Sequence, residues 1–354
     1  MNYPHLDSKI HQALMDGCVI PAHPLALNMN RELDIHRHQR LTRYYMDAGA
    51  GGIAVGVHST QFEIRNKEIA LLEPVLQLTS QAIDQAKPDR PFIRVAGICG
   101  PVDQALAEAE IAVSCGYHLG LVSMGGLADY SEGQLLDRTR QIAGVIPIFG
   151  FYLQDAVGGR NLSYAFWKEF VSIPNVYAIK LAPFNRYKSL DVVRATVESE
   201  RRDEIALYTG NDDHILLDLL TPYRIRVNDT FVEKRMVGGL LGQWAVWTSK
   251  AVELLHQIKS LGDEIPGSFL TLDAHLTDAN GAIFDAANKF HGCIPGIHEI
   301  LRRQGLLEGT WCLNDKETLS PGQSEEIDRI INSYPHLSDD DFVRWWLQRQ
   351  RDMQ

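Results

Sequence analysis

The sequence predicts a (β/α)8 barrel followed by a helical C-terminal extension. Three observations predict it. Short runs rich in β-branched and aromatic residues alternate with longer stretches that repeat apolar residues at helical spacing. Eight such alternations fill about 250 residues, the length of a barrel rather than of an open doubly wound sheet. Beyond residue 265 the strand signals stop and amphipathic helical patterns take over.

Taken in order, the expected strands are 18–21, 52–57, 92–97, 119–123, 146–153, 176–181 and 205–209, with an eighth within 236–241. Each is a short apolar run, as a strand buried on both faces requires. Between them, segments such as 102–115 and 162–172 carry the helical period. Residues 223–235 interrupt the last strand-to-strand connection as an insertion. The expected division is a barrel over 1–260 carrying the catalytic site and a helical extension over 261–354 packed on it. The pair Trp345-Trp346 lies in the last helical segment and is expected to hold that extension down.

Of 354 residues, 45% are hydrophobic and 22% charged, which excludes a disordered chain. Lysine and arginine number 34 against 45 aspartate and glutamate, a net charge of −11. That balance argues against binding nucleic acid or anionic membrane surfaces. Neither a spanning run nor a leader pattern is read at the N-terminus, so a cytoplasmic protein is expected. Five widely spaced cysteines form neither a disulfide framework nor a zinc motif.

The most informative segment is Val176-Tyr177-Ala178-Ile179-Lys180-Leu181-Ala182, an apolar strand interrupted by lysine. Strand alternation puts Ala178, Lys180 and Ala182 on one face, with space beside the lysine for a ligand. Burial disfavours the ammonium and makes a neutral amine available to attack a carbonyl. A lysine reaching solvent at a strand end is the plain alternative. On the preceding strand, Ile148-Phe149-Gly150-Phe151-Tyr152-Leu153, alternation pairs Gly150 with Tyr152. Tyr152 is expected to point toward Lys180 as acid and base, or else to close the barrel mouth structurally.

With these residues in hand, the chain resembles the dihydrodipicolinate synthase/N-acetylneuraminate lyase superfamily of Schiff-base aldolases, over roughly residues 19–255. Ala48-Gly49-Ala50-Gly51-Gly52-Ile53-Ala54-Val55-Gly56 is similar to its second strand, Gly150–Tyr152 to its tyrosine strand, Ala178-Ile179-Lys180 to its lysine motif, and Thr209-Gly210-Asn211-Asp212 to its Ser-Gly-Asx-Asp turn. The resemblance implies an imine on Lys180, with Tyr152 as acid/base and no metal or dissociable cofactor. It also implies a 2-oxo acid such as pyruvate as substrate, and a homo-oligomer, dimer or tetramer. The chain departs from the pattern as well. Gly56-Val57-His58-Ser59-Thr60 stands where the family has Gly-Thr-Thr-Gly-Glu, Gly125-Gly126-Leu127 where it has Pro-Tyr-Tyr (with Tyr130 nearby), and Val157, with Arg160 three residues on, where it has arginine. An activity other than dihydrodipicolinate synthesis is therefore expected.

Substrate contacts are expected from Val57, His58 and Ser59 of that loop, from His23 after the first strand, and from Gly210. His36 and His38 read as surface histidines, and Asn211, Asp212 and Asp213 as turn residues rather than a cation site. The expected function is a lyase or aldolase forming a Schiff base with a 2-oxo acid. A dehydratase or aldolase of sugar-derived 2-oxo acids, a non-catalytic binder of the same ligands, and a metal-dependent barrel enzyme stand as alternatives.

Overall fold

The computed structural model describes residues 3–262 and 264–352. Among these, ten strands form: β1 Val19–Pro21, β2 Gly52–Val55, β3 Ile93–Ile98, β4 Leu119–Val122, β5 Ile148–Leu153, β6 Val176–Ala182, β7 Ala206–Thr209, β8 Tyr223–Val227, β9 Thr230–Lys234 and β10 Met236–Leu241. Eight of them make one parallel sheet in the order β1-β10-β7-β6-β5-β4-β3-β2. Its two ends meet where Ala22 bridges Ala54 in parallel and the His23 N–H donates to the Ala54 carbonyl at 2.8 Å. The sheet is thus a (β/α)8 barrel, with helices such as Ile35–Asp47, Val102–Ser114 and Tyr164–Ser172 between successive strands. Side-chain caps start several of these helices, Asp34 and Ser163 among them, each accepting a backbone N–H of the first turn.

The insertion at 223–235 is a β-hairpin, β8 against β9, paired from Tyr223 with Lys234 to Val227 with Thr230. Asn228 turns it at φ +53°, the left-handed conformation that a two-residue hairpin turn demands. Its signal was in the sequence: Tyr223-Arg224-Ile225-Arg226-Val227 alternates, with both arginines exposed.

The chain falls into two compact units. The first comprises Arg90–Leu240 with the segment up to Cys18; the second comprises Val19–Asp89 with the segment from Leu241 onward. The helices after Ser260 therefore cluster with the first two strands and their helices.

In the first unit, Phe166, Trp167, Phe170 and Val171 of helix Tyr164–Ser172 are buried. Gly150 admits this helix, because a Cβ there would stand 2.6 Å from the Phe170 ring. The β5–β6 register slips between Ile148 and Phe149, where Ile148 pairs Val176 but Phe149 pairs Ala178. Such a slip reverses which face each later residue shares with its neighbour. Beyond it, Phe151 pairs Lys180 and Tyr152 pairs Leu181.

In the second unit, buried Asp339 ties the extension to the helices Ile35–Asp47 and Thr248–Ser260. Its carboxylate accepts from the Tyr44 hydroxyl at 2.7 Å, the Ser249 N–H at 3.1 Å and the Gln304 amide at 2.8 Å. Trp346 is buried and its indole N–H donates to Asp47 at 2.7 Å, while Trp345 is exposed. Among the described residues, none of the five cysteines is joined in a disulfide.

Candidate active site

Lys180 sits near the C-terminal end of β6, the end at which barrel enzymes carry their chemistry. Its flanking partners on the same face are small: Ala178 and Ala182 are buried and leave the lysine stem unobstructed. Gly210, at the end of β7, makes the remaining space. A Cβ on Gly210 would lie 2.5 Å from Lys180 Cε and 2.9 Å from the Ala182 Cβ. The lysine keeps part of its surface open to solvent, and its Nζ lies 4.4 Å from the centre of the Phe151 ring. Burial lowers its pKa to about 8, with the Asp212 carboxylate pulling the other way. An amine in that state is uncharged in a usable fraction near neutral pH and can act as a nucleophile.

The side chain facing Lys180 from the neighbouring strand is Phe151, not Tyr152. The register slip at Ile148/Phe149 corrects the expected alternation by one residue. Tyr152 lies on the opposite face, buried, its ring 5.0 Å from Trp167 of the helix layer. Its hydroxyl is 3.4 Å from the Leu162 carbonyl and N–H, and burial raises its pKa, the Leu162 hydrogen bond opposing. Phe151 has no proton to exchange, so β5 presents an aromatic face to the amine and no acid.

Under the β6 and β7 ends lies a polar network that no local motif announces. Asp218 is fully buried and accepts from Thr209 Oγ1 at 2.7 Å, Asn211 Nδ2 at 2.8 Å and Arg186 Nη1 at 2.9 Å. Burial pushes its pKa up, while Arg186 and the two hydrogen-bond donors draw it back. The Asn211 Oδ1 in turn accepts the Phe184 N–H at 2.9 Å, which holds Phe184 at φ +50°. One carboxylate thereby fixes the turns on both sides of the lysine. Its one signal in the sequence is a charge inside the apolar run Ile215-Leu216-Leu217-Asp218-Leu219-Leu220. Arg160 donates to the Leu127 and Tyr130 carbonyls at 3.0 and 2.7 Å, clamping that turn.

The other expected contacts belong to the second unit. Loop 56–60 folds on itself as a 3-10 turn, with the Gly56 and Val57 N–H groups donating to Thr60 Oγ1 at 3.0 and 3.3 Å. Val57 is buried. The Ser59 hydroxyl donates to the Ala22 carbonyl at 2.9 Å, and Thr60 to that of His23 at 2.8 Å. His58 is exposed, its ring 6.0 Å from Phe62. His23 is wholly buried, with Nδ1 bonded to the Pro24 carbonyl at 2.7 Å and Nε2 to Thr42 at 2.9 Å. Both ring nitrogens are thus engaged inside the protein, and burial lowers its pKa to about 4. His38, expected at the surface, is instead buried against His23 at 4.2 Å, with Nε2 bonded to Thr79. The helix Ile35–Asp47 turns it inward while His36 faces solvent.

No protein-family model matches the sequence, and no curated protein matches it. Solved structures do match. Dihydrodipicolinate synthase from Oceanobacillus iheyensis aligns with a TM-score of 0.70 at 17% identity, over 92% of this chain and 99% of that one. N-acetylneuraminate lyase from Fusobacterium nucleatum gives 0.69 at 16%, over 91% and 99%. The Cyanidioschyzon merolae dihydrodipicolinate synthase, solved with lysine bound, gives 0.71 at 17%, over 90% and 97%. The fold is the one these synthases and lyases share. The alignments span nearly the whole of this chain, so the similarity reaches past the barrel into the C-terminal helices. Among the described residues, no helix is long and apolar enough to cross a membrane.

Proposed function

We propose that the chain is a Schiff-base-forming lyase or aldolase acting on pyruvate or a related 2-oxo acid, with Lys180 as the nucleophile. The observation that carries this reading is the amine itself, on a barrel strand end, held in space cleared by Gly210, with a pKa lowered to about 8. The neutral amine adds to the ketone carbon, its two protons pass to the ketone oxygen, and that oxygen leaves as water as the imine forms and takes up a proton from solvent. The protonated imine then accepts the electron pair of a breaking carbon–carbon bond, or of a C–H bond before carbon–carbon formation. This chemistry needs no metal and no dissociable cofactor. Phe151, stacked on the amine, contributes a cation–π contact to the charged form. Tyr152, on the far face of β5, is given no proton to move. On the resemblance alone, loop 56–60 with His58 and Ser59 is the segment proposed to hold the substrate carboxylate. Assembly into dimers or tetramers belongs to the same proposal and is read by light scattering.

The test is intact-mass analysis after incubation with pyruvate, or a panel of 2-oxo acids, and sodium borohydride. A reduced adduct is expected in the wild type, absent in Lys180→Ala and retained in Tyr152→Phe. No adduct with any 2-oxo acid overturns the proposal.

A further inference from the structure

Far along the chain from Lys180, in the helical extension, two imidazoles meet. His275, on helix Ser268–Ile283, places Nδ1 3.3 Å from Nε2 of His336, in the short turn Pro335–Leu337. The His275 ring is stacked on Tyr334 with centroids 4.6 Å apart and planes 24° apart. The Tyr334 hydroxyl is itself anchored on Asp278 at 2.7 Å. The pair lines a cavity of ≈ 400 Å³ together with Gln257, Thr271 and Phe269, among others. His336 is exposed and His275 half-buried, and both side chains line that cavity.

We propose that His275 Nδ1 and His336 Nε2 form a two-imidazole site for a borderline divalent transition metal, of the zinc or nickel class, whose remaining positions open into the cavity. A tetrahedral ion bound at about 2.0–2.1 Å from each of two imidazole nitrogens sets those nitrogens about 3.3 Å apart, the separation found here. Imidazole suits zinc, nickel and copper, whereas magnesium and calcium require oxygen ligands that this pair does not supply. The Tyr334 stack restrains the His275 ring, which lowers the cost of ordering it around an ion. Two charges bear on the site: Asp278, which anchors Tyr334, interacts electrostatically with His275, and Lys250 does so with His336. Among the described residues no group of three or more His, Cys, Asp and Glu side chains converges on a metal position. Water or a donor group of a small molecule in the cavity therefore completes the coordination. The site is independent of the Schiff-base reading and stands or falls separately from it.

Isothermal titration of the tag-free full chain with Zn2+, and separately with Ni2+, tests the site, with Mg2+ as control. One saturable site is expected, with affinity reduced at least tenfold in both His275→Ala and His336→Gln and no saturable Mg2+ binding. Circular dichroism verifies that the variants remain folded. If wild type shows no saturable binding, or both variants bind with unchanged affinity and stoichiometry, the inference is overturned.

Discussion

A lysine in a barrel strand costs the fold something, and the residues around Lys180 show how that cost is carried. Burial favours its neutral form in the folded chain, so the folded state binds fewer protons than the unfolded one between about pH 8 and the ordinary lysine range. Stability therefore rises with pH through that window, and so does the fraction of amine ready to attack a carbonyl. Gly210 is the residue on which this geometry depends. Gly210→Ala would set a methyl 2.5 Å from Lys180 Cε and 3.0 Å from its Cγ, so the lysine stem must move. The expected outcome is a folded protein whose borohydride trapping is slowed at least tenfold, a loss of about 1.4 kcal/mol or more in barrier height. Trapping at the wild-type rate would show that the space beside the lysine is not needed.

At the scale of elements, Asp339 does for the extension what Asp218 does for the β6 and β7 turns. Each is a buried carboxylate that gathers donors from separate segments, and each has its pKa raised by burial. Removing such a group strands its donors without acceptors, which costs about 1–3 kcal/mol for each group left buried and unsatisfied. Asp339→Ala is expected to destabilise the chain by roughly 3 kcal/mol. It should also raise hydrogen exchange in the helices Ile35–Asp47 and Thr248–Ser260 and in the segment after residue 304, all of which it joins. Unchanged exchange in these segments would mean that Trp346 and its neighbours hold the extension without the carboxylate. The hairpin β8–β9 is the element the helical period could not reveal. Its alternation is legible over Tyr223–Val227, yet a reader counting barrel strands meets it as an interruption between β7 and β10.

For the whole molecule, four histidines are held in their neutral form by burial. His23, His118 and His298 are lowered to about 4, and burial holds His38 well below its ordinary value, with His23 beside it adding to the shift. The unfolded chain protonates each near pH 6.5, whereas the folded chain protonates His23, His118 and His298 only near pH 4. Between those values the unfolded state binds more protons, and stability falls as the pH drops. Each histidine contributes a slope of up to roughly 1.4 kcal/mol per pH unit. Urea unfolding at pH 7, 6 and 5 is expected to show a progressively lower midpoint, with the steepest loss below pH 6. A midpoint unchanged from pH 7 to pH 5 would contradict the neutral, buried state of these rings.

Period and composition alone determined the barrel, the order of its eight strands along the chain and the helical character of the segment beyond residue 265. These properties are local: an apolar run of four to eight residues or a repeat of 3.6 needs no partner to be seen. They also picked out Lys180, because a charge within an apolar strand is anomalous wherever the strand ends up. Only the tertiary structure decided which side chain faces that lysine. The choice between Phe151 and Tyr152 rests on a one-residue slip between β5 and β6, and register is a relation between two strands that neither one encodes by itself. His38 and Asp218 teach the same lesson, each polar in sequence and buried in the fold through partners that stand at Thr79, Arg186, Thr209 and Asn211. A polar side chain declares what it can bond, but whether it meets water or a partner is settled by the elements packed around it.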